Sequence, residues 1–172
     1  MKHFKVILLI LSLICLISCN NIEFEKYNGE DLTIGVIGEI PEVREENITF
    51  KKITFQDLEE TKKLNHYDAI FITKENLEEA SNNKYASIYK ECIIPFFFIE
   101  NIKGHLPFVD ENFSYEDASQ AGNLPVYATG ILRNNNELIY NGYGLYDDIE
   151  SKENIEAVYS IIFKDISDST GK

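Results

Sequence analysis

Positive charge is scarce in this sequence. Sixteen Lys and Arg stand against 29 Asp and Glu in 172 residues, a formal net charge of −13. A chain that neutralises phosphates needs clustered cations, and a strongly negative surface repels a polyanion at long range. Nucleic acid is therefore excluded as a partner. Cysteine is scarce too: Cys15, Cys19 and Cys92 form no C-x-x-C pair, so the redox dithiol motif is missing. No serine occupies a G-x-S-x-G elbow, and Gly35-Val36-Ile37-Gly38 and Gly142-Tyr143-Gly144 fall short of a phosphate-binding loop. Long hydrophobic runs are limited to one, Val6 to Ile17, shorter than the roughly 20 residues that span a bilayer. What is present, 44% apolar and 12% aromatic residues, is enough to build one core and argues against global disorder.

The N-terminus carries the most specific pattern. Met1-Lys2-His3-Phe4-Lys5 is a basic start, the apolar run follows, and Leu16-Ile17-Ser18-Cys19 closes it. A charged n-region before a short apolar core reads as a secretory signal. The closing tetrad resembles the lipobox of bacterial lipoproteins. That resemblance implies removal of residues 1–18, diacylglyceryl (palmitate-type) modification of Cys19 and a lipid anchor on the extracytoplasmic face of the cell membrane. An ordinary secretory signal or an uncleaved anchor is the alternative. The abundance of Ile, Asn, Lys and Glu is similar to that of small lipoproteins from low-G+C, Bacillus-like bacteria. Two acyl chains matter physically, because one gives marginal membrane binding and two give stable anchoring.

Cleavage would change the arithmetic. Removing Lys2 and Lys5 leaves 14 basic against 29 acidic residues, a net charge of −15. Residues 19–31, rich in Asn and Glu, read as the lipidated cysteine and an acidic tether reaching about 40 Å if extended at roughly 3.3 Å per residue. Residues 32–172 form the exported domain. One thiol, Cys92, then remains, spaced from Tyr85, Ile88 and Tyr89 as on a helix face, so it reads as a small buried apolar residue.

In that domain three apolar runs, 32–38, 67–73 and 93–99, show no clean alternation, the mark of strands buried on both faces. Residues 48–55 alternate with a slip at Lys51-Lys52 and read as an edge strand with a bulge. Thr54 with Asp57 forms a capping-box pattern for a helix to about Leu64, and residues 74–91 read as one broken helix or two short ones about Asn82-Asn83. Residues 102–123 are irregular. Segments 126–133 and 137–146 flank Asn134-Asn135-Asn136 as a hairpin. Ser151 then caps a helix with Ile155, Val158, Tyr159, Ile162, Phe163 and Ile166 on one face. The expectation is a single three-layer α/β domain with a mostly parallel sheet, a C-terminal β-hairpin and a closing helix. The order also resembles the thioredoxin-like fold, with Asn123-Leu124-Pro125-Val126 where that family carries its cis-proline, but without its redox motif. A flavodoxin-like sandwich with an appended hairpin fits equally.

The chemistry is sparse. His66 and His105 lie beside turns, and two His with one Cys are too few for zinc, so no metal or cofactor is expected. Asp110, Asn112, Ser114 and Glu116 alternate as in an ion loop but lack the glycine and distal glutamate of an EF-hand; they read as a solvated acidic loop. Two candidate surfaces remain. In a parallel sheet the carboxyl ends of the strands bring Gly38, Glu39, Thr73, Lys74, Glu100 and Asn101 to one edge, where open α/β sheets bind ligands. Tyr140, Tyr143 and Tyr146, spaced by Gly142 and Gly144, form a candidate aromatic surface. The expected function is a non-catalytic binding module for an envelope protein or small ligand. The alternative is a hydrolase of cell-wall or carbohydrate substrates pairing Glu39 with Glu100 or Asp110.

Overall fold

The computed structural model describes residues 24–116, 118, 126–134 and 137–171. The signal segment, the lipobox with Cys19, Asn123 to Pro125 and the hairpin tip lie outside the described residues.

Six strands form one sheet in the order β2-β1-β3-β4-β5-β6. Strands β1 (Leu32–Ile37), β2 (Ile48–Lys52), β3 (Ala69–Ile72) and β4 (Phe96–Ile99) are parallel, and β5 (Ala128–Asn134) and β6 (Glu137–Tyr143) continue the sheet antiparallel. The four parallel strands take the order 2-1-3-4, which reverses between β1 and β3 as in doubly wound sheets, and the antiparallel hairpin β5–β6 is appended beyond β4. β2 is an edge strand, as its alternation predicts, but it pairs with β1 without a break from Ile48 to Lys52, so the bulge expected at Lys51-Lys52 is not formed.

Strands β3 and β4 are apolar throughout because both faces are covered. Ala69, Phe71, Phe97 and Ile99 face the closing helix α6 (Lys152–Thr170), whereas Ile70, Ile72, Phe96 and Phe98 face the opposite helical layer. That layer comprises α1 (Phe55–Glu59), α2 (Thr61–Leu64), α3 (Leu77–Ala80), α4 (Asn83–Glu91) and α5 (Leu106–Val109). Ring contacts lock each side. Phe163 of α6 lies parallel to Phe71 at 6.2 Å, and Phe108 of α5 stacks on Phe98 at 3.6 Å. At Gly35 a Cβ would sit 2.8 Å from Ile70 Cδ1 and 2.9 Å from Ile53 Cδ1, so both side-chain ends would have to shift to admit one.

Local signals act where expected, with one break. Ser151 Oγ accepts the Asn154 N–H and Gly171 ends α6 in the left-handed conformation at φ +73°. Thr54 N–H donates to Asp57 Oδ2 at 2.8 Å. The helix it starts does not run unbroken to Leu64: Glu60, with ψ 65°, divides it into α1 and α2. Asn82 caps α4, so residues 74–91 are divided there.

The β1–β2 crossover contains no helix. Residues 38–47 instead lie along α6, where Arg44 donates to Ser160 Oγ at 2.9 Å and Ser160 donates to the buried Glu45 at 2.6 Å. Arg44 also donates to the carbonyls of Phe24 and Glu25 at 3.1 and 3.0 Å, and Asn47 to that of Gly29 at 2.8 Å. Tyr27 is buried against Phe163. Residues 24–31, read from sequence as part of an extended tether, are therefore docked on the domain, because a buried tyrosine ring and three carbonyl contacts hold them there.

Candidate functional site

The strand order reverses between β1 and β3, so their carboxyl ends form the switch point at which ligands of doubly wound sheets bind. β1 ends at Gly38, whose φ of +114° suits glycine alone. A Cβ at this position would lie 1.9 Å from Thr73 Oγ1 and 2.4 Å from Glu75 Oε1. This close approach lets the Glu39 N–H donate to Glu75 Oε1 at 2.8 Å and to Thr73 Oγ1 at 3.1 Å, while the Thr73 hydroxyl donates to Glu75 at 2.7 Å. Burial alone would raise the Glu75 pKa. The hydrogen bonds from Thr73 and from the backbone N–H groups of Glu75 and Glu39, with Lys52 nearby, outweigh it and hold the carboxyl below its ordinary range.

β4 ends at Glu100, a non-glycine residue at φ 54°. Its carboxylate meets Lys74 Nζ at 3.3 Å, an exposed pair worth about 0–1 kcal/mol. These ends open on a cleft of about 570 Å³ that Glu39, Thr73, Glu75 and Glu100 share with Glu150 and Glu156 from the approach and first turn of α6. Buried Tyr159 and half-buried Tyr127 also line it, their rings meeting edge-on at 6.3 Å. A second cavity of about 430 Å³ adjoins it and shares Glu100, Tyr127 and Glu150. Apolar groups of Ile102, Val126 and Leu145 line this second space.

Of the six strand-end residues, four thus meet at these cavities, Glu39 and Thr73 in the first, Lys74 in the second and Glu100 in both, while Gly38 shapes the turn behind them. Asn101 does not reach them. It is fully buried, its amide donating to the Gly104 carbonyl at 2.7 Å and to Thr129 Oγ1 at 2.6 Å while its oxygen accepts the Lys103 N–H. Its work is to hold the turn after β4.

The three tyrosines do not form one surface. Tyr140 and Tyr143 are an odd number of residues apart on β6 and so point to opposite faces. Tyr143 is buried and donates to Asp165 Oδ2 at 2.8 Å, Tyr140 stacks on His105 at 4.2 Å, and Tyr146 packs edge-on against Phe24 at 5.6 Å. The contributions missed from sequence are Glu75, next to Lys74, and Tyr127, Glu150 and Glu156, which come from a strand entrance and a helix entrance distant in sequence. The only advance signal of the last three was their place beside β5 and the Ser151 cap.

Asp110 lies away from the cleft and closes its own turn, accepting the Asn112 N–H and side-chain amide, each at 2.9 Å. It therefore cannot be the partner of Glu39 in a two-carboxylate site. Glu75 is displaced downward, the wrong direction for a general acid. Burial pushes the Cys92 thiol up, away from a reactive thiolate. No group of three or more His, Cys, Asp or Glu among the described residues has the arrangement of a metal site. No described helix is long and apolar enough to cross a membrane. Compared with protein-family models, curated proteins and solved structures, the chain matches none, so the reading of the site rests on its own residues.

Proposed function

We propose that this chain is an extracytoplasmic lipoprotein, anchored to the cell membrane through Cys19, whose domain is a non-catalytic binding module. The observation that carries the binding role is the cleft at the β1–β3 switch point, built from Glu39, Thr73, Glu75 and Glu100 with Tyr159. A glycine-dependent turn, a hydroxyl shared between two partners and a left-handed glutamate converge there. The lipobox residues Leu16 to Cys19 support the anchor.

A photo-crosslinking amino acid placed in cells at the exposed cleft rim residue Ile40, and for comparison at exposed Ile161 on α6, tests the binding role. The expected result is a discrete adduct from position 40 and none from 161. Equal labelling, or none at either, overturns it. For the anchor, Cys19→Ala abolishes fatty-acid labelling and releases the chain from membranes; retention without labelling in both forms refutes lipidation.

One observation favours a second reading, a carboxylate hydrolase: Glu39 and Glu100 line the same cleft. On that reading cell-wall fragments are turned over, and Glu39→Gln or Glu100→Gln abolishes turnover without loss of folding.

A further inference from the structure

We infer that the cleft binds a peptide segment in which an apolar side chain stands next to a basic one, an inference that rests on the binding role proposed above and names its ligand class. The two adjoining cavities differ in character. The first is ringed by the side chains of Glu39, Glu42, Glu75, Glu100, Glu150 and Glu156; Glu156 pairs with Lys152 at 3.8 Å, Glu100 pairs with Lys74, and Glu75 accepts from Thr73 and the Glu39 N–H, so Glu39, Glu42 and Glu150 carry the charge that is left for a cation. The second presents apolar groups of Ile102, Tyr115, Val126, Tyr127 and Leu145. Two lysines also border the second space, and both are engaged. Lys74 pairs with Glu100, while Lys103 donates to the carbonyls of Tyr115 and Glu116 and lies 4.5 Å over the Tyr115 ring. Neither is left to recruit an anion.

The shared wall fixes the order of groups on the occupant. Glu100 and Glu150 border both spaces, with Tyr127 between them. A cation held there has carboxylates on one side and, within a residue's reach, an apolar space of about 430 Å³ on the other. An amine alone leaves that space hydrated, and an apolar group alone leaves the carboxylates unmatched. Successive side chains of a peptide supply both. Exposed Ile40 and Ile102 stand at the rims of the two spaces, 44% and 46% accessible, and add apolar contact along the path. The net charge of −13 steers a cationic segment toward the domain and rejects an acidic one.

The test titrates N-acetyl-Leu-Lys-amide, its twin N-acetyl-Leu-Glu-amide and N-acetyl-Lys-amide into the detergent-solubilised full chain, with amide chemical shifts of cleft residues as the readout. Leu-Lys should bind about tenfold more tightly than Leu-Glu, since charge reversal exchanges attraction for repulsion at two exposed carboxylates. Binding should weaken with salt on the scale of a Debye length of about 8–10 Å. Glu150→Gln should weaken Leu-Lys about two- to fivefold, and Ile102→Ser should remove its advantage over Lys alone. Equal binding of the acidic twin overturns the ligand class, as does silence toward all three peptides. With crosslinking at position 40 intact, either result leaves the binding role standing. Loss of that crosslinking defeats the binding role itself.

Discussion

Gly38→Ala is the sharpest test of how the switch-point cleft is built. At φ +114° an L-residue lies outside the left-handed well, a strain of about 1–3 kcal/mol. The new methyl also enters space held by Thr73 Oγ1 at 1.9 Å, Glu75 Oε1 at 2.4 Å and Asn76 Nδ2 at 2.6 Å. The first two atoms accept the hydrogen bonds that fix Glu39, so relieving the overlap loosens two bonds at about 1 kcal/mol each. Against this, alanine lowers unfolded-state entropy by about 0.4–1 kcal/mol. The net expectation is a destabilisation of about 3 kcal/mol, or roughly 6–12 °C in Tm for a domain of this size. Denaturant unfolding of the chain and of Gly38→Ala, with midpoint and slope both recorded, measures it. Gly38→Ala/Thr73→Ala should recover only part of the loss, because the backbone strain and the contacts with Glu75 and Asn76 remain. A single variant within about 0.5 kcal/mol of the parent chain would refute the argument, since the β1 end would then tolerate an ordinary φ.

Phe163→Ala should cost about 3–5 kcal/mol by opening a cavity beside Phe71 and Tyr27, where the ring is fully buried; chemical unfolding reads it directly. Glu75 has a depressed folded pKa, so its contribution is complete above the unfolded value of 4.5 and is lost as pH falls through the folded one. Glu75→Gln should therefore flatten the stability profile below pH 4.5 relative to the parent chain, and an unchanged slope there would contradict the assignment. Burial lowers the His105 pKa below 6.5. Protonation of this imidazole thus opposes folding, with the cost complete below the folded pKa and relieved as pH rises to the unfolded one. NMR titration should place the His105 midpoint below 6.5.

The alternation-free runs in β1, β3 and β4 were legible because a strand covered on both faces has no polar side to show. The C-terminal helix was legible because the 3.6-residue period of Ile155 to Ile166 needs only one buried face. The strand ends follow from the parallel order, which brings Glu39, Thr73, Lys74 and Glu100 to one edge. The tyrosine cluster failed for a physical reason of the same kind. Strand period is two, and a hairpin residue three positions away from another faces the other layer, so sequence proximity separated Tyr140 from Tyr143. Asn101 was misread because composition does not distinguish an amide offered to solvent from one consumed by a turn. Glu60, which breaks the α1–α2 segment, carries no proline or glycine signal at all.

The missing crossover helix ties these local facts to the proposed anchor. A parallel β–β crossover usually returns through a helix that covers the sheet. Here residues 38–47 return without one, and the uncovered part of the α6 layer is filled from outside the sheet by Tyr27. Arg44, Glu45 and Asn47 of the crossover hold the segment that delivers it. Residues 24–31 are thus a structural part of the domain rather than a spacer in front of it. On the lipidation reading, the free path from Cys19 to Phe24 spans at most about 17 Å at roughly 3.4 Å per residue, less than half the reach of an extended tether ending at residue 31. An acidic domain on so short a lead, beyond one Debye length of about 8 Å but not far beyond it, is pushed away from anionic lipid without being free to leave. On that reading its charge would hold it off the membrane and leave the acidic cleft open to the cationic groups proposed above.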